Sequence, residues 1–313
     1  MILVAGSANL DFVVRAAQIP APGQTVLGRD FQTFPGGKGA NQAIACARAG
    51  GAATAMLLAL GEDAFAEPLE ASLRAAGVRL HLVRSSTQPT GTAFICVSDQ
   101  AENAITVASG ANRELLPAHL PPLDGISHLL LQLETPLATV EAYARSARAQ
   151  GVQVVLNAAP AQDLAPALLG VVDLLLVNEG ELARLTGPTG SIAQRLRALQ
   201  VPSVVVTLGA RGSCARDEMQ FLFQTGFAVD ALDSTAAGDT FCGALVAALV
   251  TKHGLAHGLR FASAAAALAC TRLGAQSSIP SRAEVDALLQ AQPAAQVQQL
   301  HDLRAYCGFA AAL

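Results

Sequence analysis

The 313-residue sequence predicts an α/β fold, with a mainly parallel central sheet joined by helical crossovers and a small antiparallel sheet set apart from it. Three observations carry that prediction. Four short apolar runs, Leu129–Glu134, Val154–Asn157, Leu174–Glu179 and Val204–Gly209, are continuous rather than alternating, as strands covered on both faces are. Helix-like segments lie between several of them, such as Leu137 to Ala149 and Ile192 to Leu199. Two further stretches break the rhythm: Phe12 to Phe34, with Pro20, Pro22, Gly23 and Gly28, and Thr90 to Val107, with alternating Thr92, Phe94 and Cys96, read as antiparallel strands.

Taken in order, Met1–Gly6 is a buried first strand. It has no basic segment before its apolar run, and Asn9, Asp11 and Arg15 interrupt it too soon for a secretory leader. After the first antiparallel stretch comes Phe34-Pro35-Gly36-Gly37-Lys38-Gly39-Ala40-Asn41-Gln42-Ala43, a glycine-rich turn entering a helix. Its Lys is not followed by Ser or Thr, so it is not a Walker A loop, and the first strand carries no G-x-G-x-x-G. Paired glycines allow a small ligand close to the backbone or act as a hinge, and Lys38 and Asn41 offer donors to hydroxyl oxygens; ordinary helix packing is the competing account. Glu62-Asp63 reads as the capped start of a helix after Gly61 rather than a magnesium pair.

The four apolar runs end in Glu134, Asn157, Asn178 and Thr207, and in an open parallel sheet such ends converge on one ligand crevice. Tyr143 and Arg145, on the helix after Glu134, are assigned to the surface. Near the C-terminus, Asp233-Ser234-Thr235-Ala236-Ala237-Gly238-Asp239-Thr240 places two carboxylates around small residues, ahead of a long apolar helix from about Phe241. A helix start aims unpaired N–H groups at an anion, and Asp239 beside it supplies a base, the combination phosphoryl transfer requires. The stretch Phe241 to Leu273 is broken by Lys252, His253, Gly254 and Arg260, so it is two packed helices and not a membrane span. His253 and His257 lack a third metal ligand and read as solvated helix-end residues. An Ala/Gln-rich segment, Ala291 to Gln299, leads into the tail.

Composition narrows the function classes. Twenty basic against 24 acidic residues, without a Lys/Arg cluster, and no Trp with two Tyr argue against nucleic acid. The six cysteines, Cys46, Cys96, Cys214, Cys242, Cys270 and Cys307, show no metal-ligand spacing and fit a reducing, cytoplasmic compartment. One main domain is expected at this length.

The chain resembles the ribokinase-like (PfkB) carbohydrate kinases. The resemblance rests on Gly6-Ser7-Ala8-Asn9-Leu10-Asp11, "PGGKGANQA" from Pro35, "TGTAF" from Thr90, "ASGAN" from Ala108, "QLETPL" from Gln132, "LNAAPA" from Leu156, "NEGELARLTG" from Asn178, "TLGARG" from Thr207, "DSTAAGDTFCGAL" from Asp233 and "GAQSSIP" from Gly274, in order from residue 2 to about residue 290. It implies a three-layer fold with one kinase domain over 1–290, an antiparallel β lid formed by about 12–34 and 90–107, and a C-terminal extension over 291–313. It also implies ATP-dependent phosphorylation of ribose at O5, with 2-deoxyribose, fructose or a nucleoside such as adenosine or inosine as alternative acceptors, and a non-catalytic sugar sensor as the rival of another class.

The roles implied by the resemblance are these. Asn9, Asp11, Gly37, Lys38, Gly39, Asn41 and Glu134 bind the sugar, and Asp239 is the base that takes the proton from its primary hydroxyl. Ala236, Ala237 and Gly238 form the anion hole. Asn178, Thr207, Gly209, Arg211, Gly212, Gly238 and Ser263 bind the nucleotide, and Glu181 serves Mg2+ through water. Asp233, Thr235, Ala269, Arg272, Gly274 and Ser278 surround an activating K+, and a homodimer forms through the lid. The chain departs from the family pattern at Ser234, where Thr is usual, at Ser263, where Asn or His is frequent, and at Ala66, which replaces a Gly.

Overall fold

The structure is a computed structural model and describes residues 1–100, 102–292 and 297–309. The chain lays down β1 (Ile2–Ala5), crosses to a side sheet with β2 (Asn9–Ala16) and β3 (Gly28–Gly36), and returns through α1 (Lys38–Arg48), β4 (Thr54–Gly61), α2 (Ala66–Ala75) and β5 (Arg79–Ser85). It visits the side sheet again with β6 (Gly91–Ser98) and β7 (Asn103–Ala108). Alternation then resumes with β8 (His128–Leu131), α3 (Leu137–Ala149), β9 (Gln153–Asn157), α4 (Pro166–Leu169), β10 (Leu174–Asn178), α5 (Glu179–Thr186), α6 (Ile192–Ala198) and β11 (Ser203–Thr207). A hairpin of β12 (Gly212–Asp217) and β13 (Gln220–Thr225) precedes α7 (Ala237–Val250), α8 (Leu255–Ala269), α9 (Arg282–Ala291) and α10 (Val297–Tyr306).

The central sheet runs β13-β12-β11-β10-β9-β8-β1-β4-β5, parallel from β11 to β5 and antiparallel only at the edge hairpin. Its continuous apolar runs have a direct cause. Successive side chains of a strand point to opposite faces, and here both faces are covered. Val4, Met56 and Leu58 enter one core with α1, α2, α7, α8 and α9, whereas Leu3, Leu57 and Leu129 enter the other with α3, α5, α6 and α10. Three layers result, as the sequence leads one to expect.

Small residues bring α1 and α7 together. A Cβ on Gly243 would lie 2.4 Å from the Gln42 carbonyl oxygen, so only glycine lets the two helices approach this closely. The first turns of both helices therefore meet at the C-terminal ends of the parallel strands.

The side sheet has the order β3-β2-β6-β7. Its two hairpins are antiparallel, as expected, and they join through a parallel β2–β6 pair. One face carries an aromatic cluster in which Phe12 stacks with Phe31 and Phe94 and meets Phe65 of the α2 entry edge-on. Strand β7 is exposed throughout, and so are Leu27, Phe31, Phe94, Ile105 and Val107.

Three local expectations are corrected. The apolar helix starts at Ala237 and not at Phe241, because Thr240 N–H already donates to Ala236 O at 2.8 Å. Asp63 does not cap α2, which begins at Ala66. Instead its carboxylate accepts from Phe65 N at 3.0 Å and Thr90 N at 2.7 Å, tying the turn after β4 to the entrance of β6. Tyr143 is buried, not superficial, with its hydroxyl donating to Leu116 O at 2.7 Å; an amphipathic role satisfies both its ring and its polar tip. Arg145 is half-exposed and pairs with Glu141 one turn earlier. Part of the Ala291 to Gln299 segment, residues 293–296, and the last four residues lie outside the described residues.

No described helix is long and apolar enough to cross a membrane. All six cysteines are free. No cluster of three His, Cys, Asp or Glu poised for a metal occurs among the described residues, and the His253 and His257 rings lie exposed at the start of α8.

Candidate active site

The meeting of α1 and α7 fixes the central carboxylate. Asp239 occupies the first turn of α7 and is buried; its Oδ2 accepts from Asn41 Nδ2 and its Oδ1 from Gln42 Nε2, both at 2.9 Å. Gln42 is itself oriented from below. Gln132 Nε2 donates to its Oε1 at 2.7 Å, while its Nε2 also donates to Asn157 Oδ1 at 3.0 Å. Two amides thus hold both oxygens of one carboxylate without neutralising it, which fixes its direction and leaves it able to accept a proton.

The backbone ahead of Asp239 is shaped for an anion. Ala236 adopts the left-handed conformation, φ 58°, unusual for a residue with a side chain. Ala237 N–H turns back to Ser234 O at 3.2 Å, whereas the amides of Gly238 and Asp239 have no backbone acceptor among the described residues. Of the expected Ala236–Gly238 anion hole the Ala237 amide is therefore occupied, and the free N–H groups beside it, at the positive end of a helix, remain able to receive an anion.

On one side of Asp239 lies a cleft of about 720 Å³ between the two sheets, lined by Asn9, Asp11, Gly37, Lys38, Asn41 and Glu134 among others. Asn112 Nδ2 donates to Asn9 Oδ1 at 2.8 Å, and Asn112 also exchanges hydrogen bonds with the Ala8 backbone. Glu134 accepts from Ser7 Oγ at 2.5 Å and from Lys38 N at 3.1 Å. Gly37 has φ 89°, and a Cβ there would stand 2.7 Å from the Ala8 backbone. Burial, reinforced by Glu134 and Asp239, pushes the Asp11 carboxyl up to about 7. Conversely, Asp239 above all raises the Lys38 ammonium, against the desolvation that would lower it.

On the other side is a smaller pocket of about 150 Å³, bounded by Lys38, Asn157, Asn178, Glu181, Thr207, Gly238 and Asp239. Asn178 and Glu181 cap α5 reciprocally: Asn178 Oδ1 accepts from Glu181 N at 2.8 Å and Glu181 Oε2 from Asn178 N at 2.7 Å. Burial raises the Glu181 carboxyl. One buried carboxylate, with room for water and phosphate, suits a Mg2+ that retains much of its hydration. Gly209 and Gly212 take positive φ at the turn between β11 and β12, with Arg211 between them. Ser263 is apart from this group; it is buried in α8 with an unpartnered hydroxyl and lines neither cavity.

The loop before Ala236 is tied to the loop after α8. Asp233 Oδ1 accepts from Thr235 N at 2.9 Å and Oγ1 at 2.6 Å, and Oδ2 from Gly274 N at 2.9 Å. The Ser278 hydroxyl donates to Ala275 O, Arg272 N–H reaches Ala269 O at 3.3 Å, and the Arg272 side chain pairs with Glu284. Both oxygens of the Asp233 carboxylate are thus engaged by the chain's own donors, which ties the two loops together.

Ser7, Gln42, Asn112 and Gln132 carry supporting contacts that no role was assigned to from sequence. Each lies within one of the family-like motifs, yet only the folded chain, which brings distant segments together, shows which group it supports.

The pfkB family carbohydrate kinase profile matches residues 1–282. The chain is 40% identical over 297 residues to a ribokinase of Haemophilus influenzae, covering 90% of this chain and 96% of that protein. It is 36% identical to a ribokinase of Bacillus subtilis, with coverage of 92% and 99%. Among solved structures, Arabidopsis thaliana ribokinase complexed with ribose and ATP superposes with a TM-score of 0.85 at 34% identity, over 92% of this chain and 98% of that one. The chain belongs to the pfkB family of carbohydrate kinases.

Proposed function

We propose that this member of the family is a ribokinase, transferring the γ-phosphoryl group of ATP to O5 of D-ribose, and that residues 1–290 form the kinase domain. One observation carries the reading: Asp239, Lys38 and Ala236 line both cavities, so the base, a cation and the anion cradle stand where a sugar hydroxyl and a terminal phosphate would meet. Ribose occupies the larger cleft with its hydroxyls on Asn9, Asp11, Asn41 and Glu134. ATP lies over Asn178, Thr207 and the Gly209–Gly212 turn.

Asp239 takes the proton of the primary hydroxyl as its oxygen attacks phosphorus. Lys38 and the Gly238 and Asp239 amides balance the charge on the transferring group, whose loose transition state demands positioning and electrostatics more than covalent help. Glu181 would hold Mg2+ through water, an ion that would supply charge to shield the phosphates, and the Asp233 loop would hold K+, which would supply a fixed charge beside the cradle. The side sheet acts as a lid over ribose and joins a second copy through its exposed apolar residues, and free cysteines suit a reducing cytoplasm.

The test is ATP consumption by the purified protein with ribose, 2-deoxyribose, fructose, adenosine and inosine, with and without potassium. Highest kcat/KM for ribose, raised by potassium more than by sodium and blunted in Asp233→Ala, is the expected result. A preference for another acceptor overturns the assignment of ribose, and equal rates without potassium overturn the cation site.

A further inference from the structure

The matched family profile ends at residue 282, yet the chain continues into α10, and α10 is firmly docked. Leu303 and Cys307 are buried in the core beneath the edge hairpin, and Phe309 packs edge-on against Phe221 and Phe223 of β13 at 4.8 and 5.1 Å. Ala193 N–H donates to Cys307 O at 3.0 Å, which joins the end of the tail to α6. Gly308, at φ 90°, lies so near Ser191 that a Cβ would fall 2.3 Å from the Ser191 side chain.

This docking places Tyr306 against two separate turns of the central sheet. Its hydroxyl donates to Glu179 Oε2 at 2.7 Å, next to Asn178 at the end of β10. Its ring lies under the Arg211 guanidinium, 4.2 Å from the ring centroid, in the turn after β11. Arg211 makes no ion pair among the described residues, so the aromatic face is what holds this cation. Strands β10 and β11 are neighbours, and their ends bound the smaller pocket through Asn178 and Thr207.

We propose that α10 is a built-in part of the nucleotide site, in which Tyr306 is a positioning residue that braces the Glu179 and Arg211 turns together and presets them for ATP. This rests on the reading of the smaller pocket as the nucleotide side. A cation on an aromatic face and a hydrogen bond to a carboxylate each contribute modestly, so their joint loss amounts to about a three- to tenfold change in affinity.

The experiment compares the full-length wild type with Tyr306→Ala, Tyr306→Phe and Arg211→Ala, measuring KM for ATP and for ribose, calorimetric ATP binding, and Tm. The expected result is an ATP KM about three- to tenfold higher in Tyr306→Ala, matched by weaker ATP binding. Tyr306→Phe, which keeps the ring and loses the hydroxyl, should recover most of that loss, with ribose KM steady throughout. An unchanged ATP KM in Tyr306→Ala beside a raised one in Arg211→Ala overturns the brace and leaves the nucleotide site standing. Unchanged ATP binding in both overturns the nucleotide-side reading as well. Equal rises in both KM values with a lower Tm would show that α10 only stabilises the fold, and Tyr306→Phe decides the matter if the alanine variant does not fold.

Discussion

Strand β4 is buried along its entire length and β7 is exposed along all of its own, and the candidate site divides between the two sheets these strands belong to. On the central-sheet side the groups are already placed. Asp239 is gripped by Asn41 and Gln42, Gln42 by Gln132, and Glu181 by its own helix cap. On the side-sheet side Asp11 faces Glu134 and Asp239 in a roomy cleft, pushed toward its neutral form, and apolar side chains stand in water. The difference teaches that the floor is organised in the chain by itself, whereas the cover is the part that the proposed function leaves for bound sugar to complete.

The largest effect should come from the floor. Asp239→Asn keeps the shape but cannot take a proton, so kcat should fall about 10²- to 10⁴-fold while ribose still binds. Steady-state kinetics with calorimetric ribose titration check this, and a near-normal kcat removes Asp239 from the role of base.

A smaller loss is expected where floor and cover meet. Gly37→Val places a branched side chain at φ 89° against the Ala8 backbone, so the β3–α1 junction must shift. The kcat/KM for ribose should drop about 10- to 100-fold, as misplaced groups cost in other sites, with ATP binding mostly spared. Comparable losses for both substrates would mean that the junction serves the whole domain rather than the sugar cover.

The smallest effect concerns Asp11. Its carboxyl moves from an ordinary 3.8 to about 7, so between those values the ligand-free folded chain holds a proton that the unfolded chain has released. The Asp11 contribution to stability is therefore complete below 3.8 and is lost as pH rises through 7. Asp11→Asn should raise the Tm of the ligand-free protein more at pH 8 than at pH 5, and not below pH 3.8. Because ribose hydroxyls are best received by the ionised carboxylate, wild-type KM for ribose should rise about tenfold from pH 8 to pH 6, a dependence absent in Asp11→Asn. A flat wild-type profile would show that Asp11 is not strained by its neighbours.

How much of this was legible in sequence follows the same division. The apolar runs of β8 to β11 announce a covered sheet because burial on both faces needs nothing beyond hydrophobic side chains. Asp239 and its cradle are readable because the small residues and the acid are adjacent in the chain. Support across the fold is not: Gln42 and Asp239 are 197 residues apart, and only the close α1–α7 packing at Gly243 joins them. Tyr143 misled because a tyrosine on a polar helix reads as superficial until the Leu116 carbonyl that receives its hydroxyl is known. The parallel β2–β6 pair likewise depends on pairing between strands far apart in sequence, which local alternation does not reveal.

Hydrogen exchange with and without ribose tests the contrast between floor and cover most directly. Protection should increase in β2, β3, β6 and β7, while the first turns of α1 and α7, already packed together, change little. A response confined to α1 and α7, with the four side-sheet strands unmoved by ribose, would contradict the account.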